Sequence, residues 1–353
     1  MESKISHKPV VYKFHDGVYG RFNWAKEPRE SIEELYAQRA RELRSKYDYL
    51  VLHFSGGSDS ANILETFIKN NIPLDEILIR GPLSNVDKDV NNTKAENTFA
   101  EVFLNTLPIV EYVKKYFLPN IKVNLKDTSQ FTIDYFKNKE WFSIDGFVPA
   151  FTPHIAWCTQ LDMLDNSYIK LTESGKKVGH IVGLDKPQIY YENNQFLIRF
   201  LDKTMYLTPL GSTNQLTQAP MYHEPFYWGK STAKMIIKQG HLIKNFVKST
   251  NIDPHVLNSS GRPWHDFIAN IIYKRTLPIY FNPDKAGTSL IQPWDRFFFA
   301  EGVLSTHGKN WLTNVMEVDS NLPKQWKNIE DQPLLNDANG IKGIYSKSYS
   351  LGN

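Results

Sequence analysis

Residues 47–60 read Tyr47-Asp48-Tyr49-Leu50-Val51-Leu52-His53-Phe54-Ser55-Gly56-Gly57-Ser58-Asp59-Ser60. The stretch from Tyr47 to Phe54 is rich in apolar, aromatic and β-branched residues, the pattern of a buried strand. It runs directly into two glycines, which turn tightly and present bare backbone N–H groups. Ile63, Leu64, Phe67 and Ile68 then recur at helical spacing. The reading is a strand, a glycine loop and a helix. The helix N-terminus adds partial positive charge and further N–H donors. Ser55, Ser58 and Ser60 add hydroxyls. Together these groups suit a phosphate or pyrophosphate. Asp59 would repel an anion directly, so its expected roles are helix capping or holding Mg²⁺. A plain strand-to-helix turn uses the same residue types. The full string between an apolar strand and a periodic helix favours phosphate. No Gly-Lys-Ser/Thr follows, so this is not a Walker A loop.

Upstream, Ser31 and Glu34 have capping-box spacing. A helix is expected there, with Ile32, Leu35, Tyr36 and Leu43 on one face and Arg39, Arg41 and Arg44 elsewhere. Downstream, strands are expected at 76–80, 122–126 and 177–183. Helices are expected at about 95–117, 153–165 and 231–248. Strands alternating with helices predict an α/β fold: a Rossmann-like, mostly parallel sheet with helices on both faces. The expected division is 1–46 as an N-terminal extension and helix, 47–200 as a nucleotide-binding α/β domain, and 201–353 as a largely helical, irregular substrate region.

Bulk properties narrow the function classes. The chain has 353 residues, 41% of them hydrophobic and 22% charged, which is ordinary for a globular protein. The net charge of +3 does not suggest a protein that coats nucleic acid. Cys158 is the only cysteine. Internal disulfides, a multi-cysteine zinc site and an iron–sulfur cluster held by one chain are therefore excluded. The N-terminus has no apolar signal region, and no apolar run approaches the roughly 18 residues of a membrane span. A cytosolic location is the default expectation, with no membrane partner. The ten histidines include no His-Glu-x-x-His. His53 is expected to pack beside the loop. His223-Glu224 is read as part of a loop, and His241 as a capped or partly buried residue. Lys230, Lys234, Lys238 and Lys244 form either a solvated helix face or a basic face for nucleic acid.

Ser55-Gly56-Gly57-Ser58-Asp59-Ser60 resembles the Ser-Gly-Gly-x-Asp-Ser signature of the PP-loop superfamily, the adenine nucleotide α-hydrolase-like proteins. The resemblance implies ATP with Mg²⁺ and release of pyrophosphate. Trp157-Cys158-Thr159 is similar to the Trp-Cys-Thr element of the branch that reduces phosphoadenylyl sulfate. Where that branch has a lysine, Gln160, Leu161 and Asp162 follow. Gly183-Leu184-Asp185-Lys186-Pro187 is similar to a segment that returns to the nucleotide. Glu224-Pro225-Phe226-Tyr227-Trp228 and Lys238-Gln239-Gly240-His241 resemble stretches of PP-loop proteins carried by tailed phages.

These matches lead to three functional expectations. The first is an enzyme that cuts ATP to AMP and pyrophosphate and adenylates a nucleotide, nucleic-acid base or small metabolite for nitrogen or sulfur transfer. Ser55, Gly56, Gly57, Ser58, Asp59, Ser60, Gly183, Asp185 and Lys186 would bind ATP. Asp59 and Asp185 would hold Mg²⁺. Asp59, Ser60 and Lys186 would serve catalysis, with Lys186 neutralising charge. The second is a phosphoadenylyl-sulfate reductase-like or sulfur-transferring protein that uses Cys158, whose neighbours Ile155, Trp157 and Leu161 favour instead a buried, structural cysteine. The third is a nucleotide-binding module without catalysis. The acceptor, a nucleic-acid partner and homo-oligomerisation stay open.

Overall fold

The computed structural model describes residues 14–81, 83, 101–127, 165–183, 187–200, 221–258, 262–280 and 346–353. The apolar run after Tyr47 forms β1 (Tyr49–His53), which follows α1 (Asp16–Tyr19) and α2 (Ile32–Lys46). The glycine loop leads to α3 (Ser58–Lys69) and then to β2 (Glu76–Gly81). A π-helical turn (Val102–Thr106) opens into α4 (Leu107–Tyr116), followed by β3 (Lys122–Asp127). Next come α5 (Asn166–Glu173), β4 (Val178–Val182), and the hairpin of β5 (Gln188–Glu192) and β6 (Gln195–Arg199). The remaining described elements are β7 (Met221–Pro225), α6 (Ala233–Ser249), a 3₁₀ turn (Pro254–Asn258), α7 (Arg262–Ile272) and β8 (Tyr349–Ser350).

Five strands form one parallel sheet in the order β3-β2-β1-β4-β7. The fold is α/β with a mostly parallel sheet flanked by helices, as expected. Successive strand residues point to opposite faces. Leu50, Leu52, Ile77 and Ile79 join Ile63, Leu64 and Phe67 of α3 in one core. Val51 and Leu78, the residues between, pack with Tyr168 of α5 on the opposite face. Each face of β1 and β2 is therefore covered by a helix, which explains their continuous apolar sequence.

Two features differ from the sequence reading. β7 lies within the span read as helical and irregular, so His223 and Glu224 sit on a strand rather than in a loop. Arg39 does not lie away from the apolar face of α2; it is only 5% exposed. Its guanidinium donates to the carbonyl oxygens of Phe226 and Pro225 and meets Glu224 at 3.3 Å. The carboxylate of β7 and the chain's own carbonyls replace the water that Arg39 loses, which pins α2 to the sheet edge. A second sheet, β5-β6-β8, is antiparallel. Its hairpin turns on Asn193 and Asn194, both at positive φ, as a two-residue hairpin turn requires.

The capping box of α2 is present. Glu34 N donates to Ser31 Oγ at 3.1 Å, and Ser31 N donates to Glu34 Oε2 at 2.7 Å. Ser31→Ala is expected to lower stability by about 1 kcal/mol. A urea midpoint unchanged from wild type would contradict this.

Candidate functional site

The glycine loop is shaped by its own serines and braced by the turn before α4. Gly56 adopts φ +77°, a conformation that L side chains rarely take. A Cβ there would stand 2.5 Å from Thr106 Oγ1. Thr106 Oγ1 donates to Ser55 O at 2.8 Å, and Asn105 Nδ2 donates to Gly56 O at 3.3 Å. Ser60 is buried, and its hydroxyl donates to Gly57 O at 3.2 Å. Ser55 N donates to Ser60 Oγ, and the two serine hydroxyls lie 3.2 Å apart. Ser55 and Ser60 therefore set the loop's shape. Gly57 is the N-cap of α3, and among the described residues no side chain caps this end. The helix there presents backbone N–H donors and the positive end of its dipole.

The loop sits where the strand order reverses. From β1 the chain crosses to β2 on one side, while β4 pairs with β1 on the other. In sheets of this kind the ligand crevice lies at such a switch point, at the carboxyl ends of the strands, here beside the glycine loop and the end of β4. Gly183, the residue after β4, packs directly on the loop: a Cβ there would lie 3.2 Å from Asp59 Cβ and from Ser60 N.

A segment from the far end of the chain supports the other side of the loop. Tyr273 OH donates to Asp59 Oδ1 at 2.7 Å, and Tyr227 OH donates to Asp59 O at 2.8 Å. Burial, and after it the Asp59 charge, pushes both phenols well above their ordinary pKa, so both remain donors. Arg275 Nη2 donates to Gly56 O at 3.4 Å and to Pro278 O at 3.2 Å. Burial lowers the pKa of Arg275, while the Glu65 and Glu101 charges oppose that fall. Glu65, on α3 and buried, accepts from Thr276 N, Thr276 Oγ1 and Leu277 N at 2.7–2.9 Å. Tyr280 N donates to Asn105 Oδ1 at 2.9 Å. Residues 273–280 are thus strapped across the loop by α3 and the π-helical turn.

The structure brings Ser55, Gly56, Gly57, Ser58, Asp59, Ser60 and Gly183 together. Asp185, Lys186, Trp157, Cys158 and Thr159 lie outside the described residues, as does the helix expected to begin at 153. The lysines of α6 are engaged within the chain. Lys234 pairs with Glu30 at 2.5 Å and Lys238 with Glu27 at 2.6 Å, while Lys244 donates to Leu351 O at 2.8 Å. His241 is buried against Trp24 O at 2.9 Å, and burial lowers its pKa, which marks a packed residue. Tyr273, Arg275, Asn105 and Thr106 carry no local sequence signal that would have found them. Only the folded chain brings them to the loop. Among the described residues, no helix is long and apolar enough to cross a membrane. Neither a scan against protein-family models nor a search of curated proteins returns a match.

Proposed function

We propose that the crevice between the ends of β1 and β4 binds ATP with Mg²⁺, and that the chain is a PP-loop enzyme transferring adenylyl to an acceptor. One observation carries this reading. A loop with Gly56 at positive φ meets an α3 N-terminus that no described side chain caps, at the switch point of a parallel sheet. Glycine at 56 and 183 lets Thr106 and the start of α3 pack close to the loop, where a Cβ would crowd them.

In this mechanism the backbone N–H groups at the start of α3 hold the phosphates. They stabilise the negative charge that builds on the departing pyrophosphate. Asp59 offers carboxylate oxygen, a ligand type suited to Mg²⁺, and Tyr273 orients it through Oδ1. Bound Mg²⁺ would neutralise phosphate charge. Asp185 is the second candidate ligand, and Lys186 a candidate counter-charge. Arg275 adds a cation beside Gly56 that the sequence did not single out. The acceptor's nucleophilic atom takes the α-phosphorus as the bond to pyrophosphate breaks, and nitrogen or sulfur then displaces AMP.

The test is AMP formation from α-labelled ATP and Mg²⁺, with and without cell extract as a source of acceptor. Asp59→Asn keeps an oxygen for Tyr273 but removes the charge. It is expected to melt like wild type and to lose about 100-fold or more of the AMP-forming activity. Full activity in this variant would remove Asp59 from the mechanism. ATP binding without any AMP would move the weight to the reductase-like or non-catalytic reading.

A further inference from the structure

His53, His180 and His223 come from three neighbouring parallel strands, β1, β4 and β7. His180 and His223 are direct register partners. His180 also pairs with Val51, and His53 lies two residues further along β1. Strand alternation therefore puts all three side chains on the same face of the sheet. Their ligand-capable nitrogens lie within 4.8 Å of one another. The His180 and His223 rings stack at 4.7 Å, and His53 Nε2 is 2.9 Å from His180 Nδ1. Interior positions of a parallel sheet are normally filled by Val, Ile and Leu. Three adjacent imidazoles are a different chemistry, a cluster of nitrogen ligands.

We propose that His53, His180 and His223 form a binding site for a divalent cation of the zinc class. Imidazole nitrogen suits zinc, cobalt, nickel and copper, whereas magnesium and calcium prefer oxygen. The donor set contains no carboxylate, so it differs in kind from the Asp59 site proposed for Mg²⁺. The spacing suits the ion. With zinc–nitrogen bonds of about 2.0–2.1 Å, two ligands of a tetrahedral ion stand about 3.4 Å apart. To admit it, the closest nitrogen pair, 2.9 Å apart, needs to open by about half an ångström, and one of the stacked His180 and His223 rings, 18° from parallel, must turn about its side-chain bonds to face the ion. His53 is the partly exposed member and ends its strand, so it can make that movement and give the ion a way in. The proton between His53 and His180 belongs to one ring, and that ring takes its other tautomer when its nitrogen binds metal.

The surroundings hold the ligands in place. All three sit on strands, which position ligands more rigidly than loops do. The Tyr168 ring meets His180 edge-on at 4.7 Å, and Tyr168 OH is itself fixed on Glu76 at 2.7 Å. An ion held here would tie the end of β1 to the middles of β4 and β7, and β1 leads into the glycine loop within two residues.

The experiment uses tag-free full-length protein, stripped with chelator and titrated with Co²⁺, Zn²⁺ and Mg²⁺ without nucleotide. One equivalent of Co²⁺ is expected to produce the strong visible absorption of a low-coordinate nitrogen site. Zn²⁺ should bleach that absorption and raise the melting temperature by several degrees, and Mg²⁺ should do neither. His53→Ala, at the exposed rim, and His180→Phe, which fills the buried position, should each weaken binding by more than about 100-fold. Circular dichroism melts of the stripped variants show whether each is folded, and His53→Ala decides the matter if His180→Phe is not. No stoichiometric uptake by the wild type, or uptake unchanged in a folded His53→Ala protein, would overturn the proposal. Because nucleotide is absent throughout, failure here leaves the reading of the glycine loop untouched.

Discussion

Gly56→Ala is expected to abolish the proposed ATP binding and to destabilise the chain by about 2–5 kcal/mol. Two physical terms add. Holding a non-glycine residue in the left-handed region costs about 1–2 kcal/mol. The new methyl group would also stand 2.5 Å from Thr106 Oγ1 and 3.2 Å from Thr106 Cα. Relieving that overlap costs about 1–3 kcal/mol. The loop can escape only by moving away from the π-helical turn, which breaks the hydrogen bonds from Thr106 and Asn105 that shape it. Gly57→Ala is the matched control. Its added Cβ meets only Ser55 Oγ, at 3.4 Å, and Gly57 sits at ordinary φ −71°. Urea denaturation should separate the two variants, and calorimetric titration with ATP·Mg²⁺ should show no binding by Gly56→Ala. A Gly56→Ala protein as stable as Gly57→Ala, and still binding ATP, would refute the account of the loop.

Glu76→Ala should produce a comparable or larger loss of stability, about 3–5 kcal/mol, with no direct effect on the crevice. This carboxylate lies on β2 and is fully buried. It accepts from Tyr168 OH and Lys122 Nζ at 2.7 Å, from Tyr49 OH at 2.8 Å and from Asn124 Nδ2 at 2.9 Å. Alanine strands four donors around an empty volume. Burial alone would raise the pKa of Glu76, but the hydrogen bonds from Lys122, Tyr168, Asn124 and Tyr49 outweigh it. The carboxyl is held below its ordinary 4.5. A depressed folded-state pKa means that the contribution is complete above the unfolded value and is lost as pH falls through the folded one. Wild-type stability should therefore decline on acidification below about pH 4.5, and the decline should be shallower in Glu76→Gln. Identical pH profiles for the two proteins would rule out this role for Glu76.

The parts of the fold that could be read in advance are those whose physics is local. β1 and β2 are apolar on both faces because helices cover both. The Ser31–Glu34 cap is four residues of self-contained chemistry. The glycine loop announces itself because turn, donor and helix start are contiguous. β7 was not legible. It is short and holds His223, Glu224 and Pro225, and its buried positions, Met221, His223 and Pro225, make sense only beside β4. Arg39 looked like a surface residue because its partner, Glu224, is 185 residues away. Tyr273 and Arg275 reach the loop across more than 200 residues of sequence. The histidines are the clearest case. His53, His180 and His223 have no spacing that marks them as a set, and only strand order and register make them neighbours.

The strand order also governs when the crevice can exist during folding. β1, α3 and β2 are consecutive, and their pairing closes a short loop. β4 docks on β1 only by closing a far longer one, as the Lys177 N to Asp48 Oδ2 bond, 129 residues apart, records. Contacts between distant parts of a chain form slowly, because the entropy of closure is lost before any contact repays it. Gly183 beside the loop, and the strap of residues 273–280 that braces its other side, therefore reach it late. The final shape of the loop, and with it the nucleotide binding proposed for it, becomes a late event in the folding of the chain.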